Sequence, residues 1–215
     1  MKDEQLDYLK NLVRRIHETH ALTTQDWKDY ADGNGFLRFN QKSTKVKHLY
    51  VNPEPMEAVG GYVEFLKGCS LLKDFNGQYD GYEVMSRVKN HNSIEEKIKD
   101  YCEYRKERGE ISVNKCLNDL FGIRIIIDCD ELLESDIESV VQDYGTAIFV
   151  EDKYVPARGE SPPYKAKHLY FKCTNEDYRW ELQIWRAADQ ESNHESHKTH
   201  RYMYRGWESD GKKIV

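Results

Sequence analysis

The stretch NDLFGIRIIIDC, residues 118–129, decides the fold class. Four isoleucines crowd into positions 123–127, a β-branched run that reads as a buried strand over 123–129. Arg124 interrupts that run, and a cation there needs an acidic or phosphate partner, because an unpaired buried charge is costly. Asp119 stands just before it, ahead of a tight Phe-Gly turn. Upstream, SVNKCLNDLFG (112–122) reads as a short helix ending at Gly122. Further upstream, EVMSRVK (83–89) reads as a strand and SIEEKIKDYCEYRKER (93–108) as a helix with Ser93 as N-cap.

Downstream, DELLESDIESVVQDYG (130–145) has helical spacing and a glycine stop, and AIFVE (147–151) is a strand. A loop holding Pro156, Pro162 and Pro163 leads to two strands, HLYFKC (168–173) and YRWELQI (178–184), then to a polar helix over 187–205. Strands alternating with helices before a closing hairpin predict an α/β or α+β fold, a mixed sheet flanked by helices. The N-terminal part adds a helical segment: Leu6, Leu9, Leu12, Val13 and Ile16 mark an amphipathic helix over 3–20, with a second near Thr24–Tyr30 and a third over 55–67. FLRFNQKSTKVKHLYV (36–51) looks strand-like, and NGQYDG (76–81) is a turn. The expected division is an N-terminal helical, accessory region over 1–75 and a second domain, holding the sheet, over 76–215.

Composition narrows the function classes. The 215 residues are 33% charged, yet 15 Tyr, 7 Phe and 4 Trp can furnish a core, so the chain is not of disordered type. A net charge of −6 excludes indiscriminate coating of nucleic acid. That charge is uneven: residues 128–152 carry nine acids and no Lys or Arg, leaving the remainder at +3. No apolar run is long enough to span a membrane, and MKDEQLDYLKNLVRR lacks a signal-peptide core. Five dispersed cysteines without a CxxC pair suggest reduced thiols and a cytoplasmic location. HESHKTH (194–200) places His194, His197 and His200 at a spacing that drifts around a helix, which suits a solvated face better than a zinc site.

Three constellations could carry chemistry. In SRVKNHNSIEEK (86–97), Arg87 and Lys89 share a strand face, Ser93 opens a helix and Lys97 lies one turn on, a grouping suited to polyphosphate. Solvated surface lysines explain the same spacing. In WELQIW (180–185), Glu181 and Gln183 share a face of an otherwise apolar strand, so Glu181 must pair with a cation or metal unless that face is solvated. In PYKAKH (163–168), Tyr164, Lys165 and His168 sit where a loop enters a strand, and a tyrosine there can stack on a base or simply fill the turn.

The order of these segments resembles the RelA/SpoT-type nucleotide pyrophosphokinase domain of small alarmone synthetases, over about residues 80–205. The resemblance implies that Arg87, Lys89, Ser93, Lys97 and Arg124 bind ATP. It implies that Asp119 and Glu181 hold Mg2+ and form the catalytic centre. Tyr164, Lys165, His168 and Gln183 would meet the acceptor, with Tyr164 stacked on its guanine. Departures fall in the acceptor half: Pro163 replaces the motif's glycine, Lys165 its arginine, and Trp185 the arginine after Gln-Ile, while Glu195 and His197 only loosely echo a late Glu-His pair. Family frequency favours GDP or GTP as acceptor. A toxic branch modifies the tRNA 3′ end instead, and would bring a neutralising antitoxin protein. For that reading Arg38, Lys42, Lys45 and Lys47 are candidate RNA contacts, although such a run on a strand is more often a solvated edge. A catalytically silent RNA-binding module is the third reading. A homo-oligomer is left open and no membrane partner is expected.

Overall fold

The computed structural model describes residues 2–75, 77–79, 82–128, 134–157 and 162–198. Its centre is a six-stranded mixed sheet, built from β1 (Gly77–Tyr79), β2 (Tyr82–Val88), β3 (Phe121–Ile127), β4 (Ile148–Val155), β5 (Tyr164–Phe171) and β6 (Trp180–Arg186). The strand order is β1-β2-β3-β6-β5-β4, and only the central β3–β6 pair is parallel. β6 is buried along its whole length except at its last residue, so both its apolar residues and the polar Glu181 and Gln183 are covered.

Alternation divides the sheet into two unlike faces. Val84, Ile123, Ile125, Ile127, Trp180, Leu182, Ile184, Leu169 and Phe171 form the apolar face and belong to the main core. Against them lies α1 (Lys2–Asn34), whose buried stripe runs from Leu9, Leu12, Val13 and Ile16 to Trp27 and Ala31. The two helices expected over 3–20 and 24–30 are therefore one. Thr23 and Thr24, which suggest a new start because threonine favours caps, are buried within the stripe. The remaining layer comprises α2 (Val46–Val51), α3 (Pro53–Gly68), α4 (His91–Lys99), α5 (Val113–Cys116) and α6 (Glu134–Val141). A final helix over 190–198, α7, crosses the polar face.

Three local expectations are corrected. Residues 36–51 hold no strand beyond a single bridge from Lys45 to Ser112: the Asn40 side chain accepts from the amides of Lys42 and Ser43, and Val46 and Leu49 then bury one side of α2. The N-cap of α4 is Asn90, whose Oδ1 accepts from the Ser93 amide at 2.8 Å, so the helix starts two residues before Ser93. Phe121 and Gly122 are the first residues of β3 rather than a turn, and the helix before them shrinks to Val113–Cys116. The turn at 76–81 and the start of the acidic helix at 130 lie partly outside the described residues.

His20 ties α1 to the loop before β6. Its Nε2 meets the Tyr178 carbonyl at 2.9 Å and its Nδ1 meets Cys173 Sγ at 3.6 Å, so the ring donates from Nε2. Burial is the main cause holding its pKa down to about 4. Between about 6.5 and 4 the unfolded chain would bind a proton here that the folded chain refuses. Stability should thus fall by a few kcal/mol at most as pH drops through that window. Urea unfolding at pH 7 and pH 5 checks this; His20→Gln should flatten the dependence, and an equal slope in both proteins would contradict it.

Candidate active site

The polar face carries its chemistry in two rows fixed by strand register. Arg87, Gly122, Glu181, Tyr170 and Phe149 lie across β2, β3, β6, β5 and β4 in the first row. Arg124, Gln183, His168 and Glu151 make the second. Because side chains repeat every two residues, a single set of strand phases brings all of them to one side. Gly122 contributes no side chain, and a Cβ there would stand 4.0 Å from Glu181 Oε2, so the space between Arg87 and Glu181 is left open.

Glu181 is held by two neighbours. His168 Nδ1 lies 2.7 Å from Oε1 and Gln183 Nε2 donates to Oε2 at 2.7 Å, while the Tyr170 hydroxyl lies 3.2 Å from that same His168 Nδ1. Behind them a chain runs outward: Trp185 Nε1 donates to the Tyr164 hydroxyl at 3.2 Å, and that hydroxyl lies 2.8 Å from His168 Nε2. The arrangement selects the tautomer with Nδ1–H toward Glu181. Burial pushes the Glu181 pKa up, but the His168 contact and the Gln183 donor outweigh it, so the carboxyl sits below its usual range. Glu181 is an ionised, immobilised acceptor.

Asp119, immediately before β3, is gripped by the ammonium groups of Lys89 and Lys97, the latter at 3.1 Å. Burial opposes its ionisation, yet the two cations hold it well below the ordinary carboxylate range. Arg124 donates to Gln183 Oε1 at 3.1 and 2.8 Å, and its guanidinium lies 3.5 Å over the Trp185 ring. Tryptophan in place of the expected arginine thus supplies a cation–π shelf. Burial, then the nearby Arg87 charge, lower the Arg124 pKa to about 10. Arg87 is exposed and has no ion-pair partner among the described residues.

The structure brings together Arg87, Lys89, Lys97, Asp119, Arg124, His168, Glu181 and Gln183. Ser93 remains at the first turn of α4, with its amide already taken by Asn90. Lys165 falls out of the group: in β5 it alternates with Tyr164 and Ala166, which sends its side chain to the opposite face. Its backbone is clamped by Asn193, which bonds both its amide and its carbonyl at 2.8 Å. Tyr164 lies on the right face but is only 7% exposed, edge-on to Trp185 and His197. A base could reach that ring only if α7 moved. His197 stacks on Trp185, and burial followed by Arg124 and Arg87 lowers its pKa to about 4.

Arg38 is engaged by Asp32 and Glu176, and Lys47 by Glu110, so half of the basic run is already neutralised on the surface. Tyr170 was not singled out from sequence, although it follows His168 by one strand repeat. Asn193 gave no signal, because its role is set by where α7 lands. Among the described residues, no group of three or more His, Cys, Asp and Glu could hold a metal, which includes His194 and His197. No helix there is long and apolar enough to cross a membrane. Cys69, Cys102, Cys116 and Cys173 are free thiols.

Residues 86–208 match the family described as "Region found in RelA / SpoT proteins", more than half of the chain. The chain belongs to the RelA/SpoT family. Among solved structures it is similar to small alarmone synthetase 1 from Bacillus subtilis, with 21% identity, 73% of this chain and 86% of that one covered, and a TM-score of 0.29. A protein from Streptococcus mutans UA159 shows 18% identity, 69% and 77% coverage and a TM-score of 0.32. Small alarmone synthetase 2 from Bacillus subtilis shows 17%, 74%, 96% and 0.26. Family membership rests on the sequence match and not on these superpositions. No curated protein matches the chain.

Proposed function

We propose that the protein is an ATP-dependent pyrophosphokinase acting at the polar face of the sheet. The observation that carries this reading is a cationic group with too few partners. Arg87, Lys89, Lys97 and Arg124 surround two carboxylates, Arg87 is unpaired, and Arg124 bonds only the neutral Gln183 among described residues. A surplus of positive charge beside an open, glycine-lined gap suits a polyphosphate chain.

Asp119 and Glu181 fit Mg2+ as a donor set. They are two ionised carboxylates close enough for the Asp119 charge to oppose ionisation of Glu181. Mg2+ commonly takes one or two carboxylates and completes its shell with phosphates and water, so no all-protein cluster is required. When bound, it would neutralise the charge of the transferring phosphates.

The acceptor 3′-oxygen attacks the β-phosphorus of ATP, the bond from that phosphorus to the α–β bridging oxygen breaks, and AMP leaves. Arg87 and Arg124 bind and orient the phosphates, while Lys89 and Lys97 shift charge from Asp119 toward them. Glu181 accepts the hydrogen bond of the attacking hydroxyl. With a lowered pKa it is better suited to orienting that hydroxyl than to keeping its proton at neutral pH, so the proton passes on to solvent or to the phosphate of the departing AMP. His168 and Gln183 hold Glu181 in place.

GDP or GTP is the acceptor this reading favours, because half of the basic run Arg38–Lys47 is spent in ion pairs. The tRNA 3′ end is the second reading, carried by Lys42 and Lys45, for which no ion pair is found among the described residues. The full chain with β-labelled ATP and either GDP, GTP or deacylated tRNA separates the two. Label in guanosine tetra- or pentaphosphate is the expected result; label in tRNA reassigns the acceptor, and transfer to neither overturns the function.

A further inference from the structure

We infer that Trp185 is a positioning residue serving both substrates, its ring face supporting Arg124 for ATP and its Nε1–H fixing Tyr164 for the acceptor. The inference rests on the proposed reaction. Trp185 is fully buried in β6, one strand repeat beyond Gln183, and so belongs to the polar face with Glu181 and Gln183. A buried tryptophan is ordinarily packing alone. This one is set apart because each of its two chemical parts meets a different half of the site.

The ring face meets Arg124, whose guanidinium carbon lies 3.5 Å from the ring centroid. A carboxylate in that place would hold the guanidinium but cancel its charge. An aromatic face holds it and leaves the charge available to a phosphate. With Gln183 Oε1 as its hydrogen-bond acceptor, Arg124 is thus oriented by two neutral partners. The indole Nε1–H is a donor only, and it gives to the Tyr164 hydroxyl at 3.2 Å. That hydroxyl therefore turns its own proton toward His168 Nε2 at 2.8 Å, and His168 presents Nδ1–H to Glu181 at 2.7 Å. One donor at the start sets the direction of the whole chain. The indole is itself pinned by α7, with His197 stacked at 5.6 Å and His194 edge-on at 5.1 Å.

Steady-state transfer by the full chain tests this, using whichever acceptor the wild type accepts. Phenylalanine keeps a ring for Arg124 but has no N–H, and leucine keeps neither. Trp185→Phe should lower kcat/KM for the acceptor by roughly 2- to 12-fold, the loss of one hydrogen bond, with the KM for ATP within about twofold of wild type. Trp185→Leu should lower the acceptor value at least as far and also raise the KM for ATP by roughly 2- to 30-fold, the loss of the cation–π contact. In a Tyr164→Phe background, Trp185→Phe should cost nothing further, because the hydroxyl it serves is gone. A merely structural role would move the constants of both substrates together in Trp185→Phe and would add its cost in the Tyr164→Phe background. Either result, or unchanged constants in Trp185→Leu, overturns this inference alone when the wild-type chain is active. A wild-type chain inactive on GDP, GTP and deacylated tRNA overturns the function and this inference together. If circular dichroism shows Trp185→Leu to be unfolded, the phenylalanine variant and the double variant still decide.

Discussion

Glu181→Gln is expected to lower pyrophosphate transfer by about three orders of magnitude while the protein stays folded. The substitution preserves shape but removes the charge that His168 and Gln183 are arranged to hold. It also places an amide donor where a carboxylate oxygen accepts from His168 or Gln183, so one of the two contacts must break. Losing a single preorganised electrostatic contact in a reacting site commonly costs about 10²–10³ in kcat. Here the same carboxylate also orients the nucleophile and belongs to the proposed Mg2+ donor set, which moves the expectation to the upper end. Glu181→Asp keeps the charge and withdraws it by one methylene, and should retain more activity than the glutamine variant. The KM for ATP should change less than kcat in both variants. A glutamine variant within about tenfold of wild type would remove Glu181 from the mechanism.

The largest stability effect should come from the residue beside it. Trp180 is fully buried on the apolar face, edge-on to Phe121 at 4.6 Å and to His20 at 5.0 Å, and its Nε1 donates to the Tyr62 hydroxyl at 2.8 Å. Trp180→Ala should cost about 3–5 kcal/mol, since it leaves a cavity at the junction of β6, α1 and α3 and strips the buried Tyr62 hydroxyl of its donor. For a chain of this size, that corresponds to a fall in Tm of about 10 °C. Trp180→Phe should recover part of the packing but not the hydrogen bond, and so fall between. Chemical denaturation of the three proteins measures this. An alanine variant within about 1 kcal/mol of wild type would mean that β6 is not anchored to the helical layer through Trp180.

The two substitutions act on opposite faces of one strand, and this alternation made the site legible in sequence. Glu181 and Gln183 stand out because apolar residues surround them, and the four isoleucines of β3 mark the strand against which β6 pairs. Arg124 has to find a polar partner, and it finds Gln183 in the same register. The segments that misled are those where local signals compete. Lys42–Lys47 has strand-like composition, yet the Asn40 turn and the burial of Val46 and Leu49 commit it to a turn and a helix. Asn90 and Ser93 are both good caps, and only the chain path out of β2 decides between them.

Other contacts were illegible because they depend on tertiary placement. Lys165 and Tyr164 are neighbours in sequence, but the pleat of β5 sends them to different faces. The closure of Tyr164 by Trp185 and His197 depends on α7 crossing the sheet, which no spacing predicts. Trp185 directly follows a segment legible as a strand, but its place between Arg124 and Tyr164 follows only once the strand order β3-β6-β5 is known.

In the proposed reaction this face transfers the β,γ-pyrophosphate of ATP as one unit. Parallel reactions with ATP labelled at the α- or the β-phosphorus, resolved by product, test it most directly. β-Label should move to the acceptor while α-label appears only in AMP, in amounts equal to the product formed. Release of ADP with β-label retained on it, or acceptor modification carrying α-label, would contradict it.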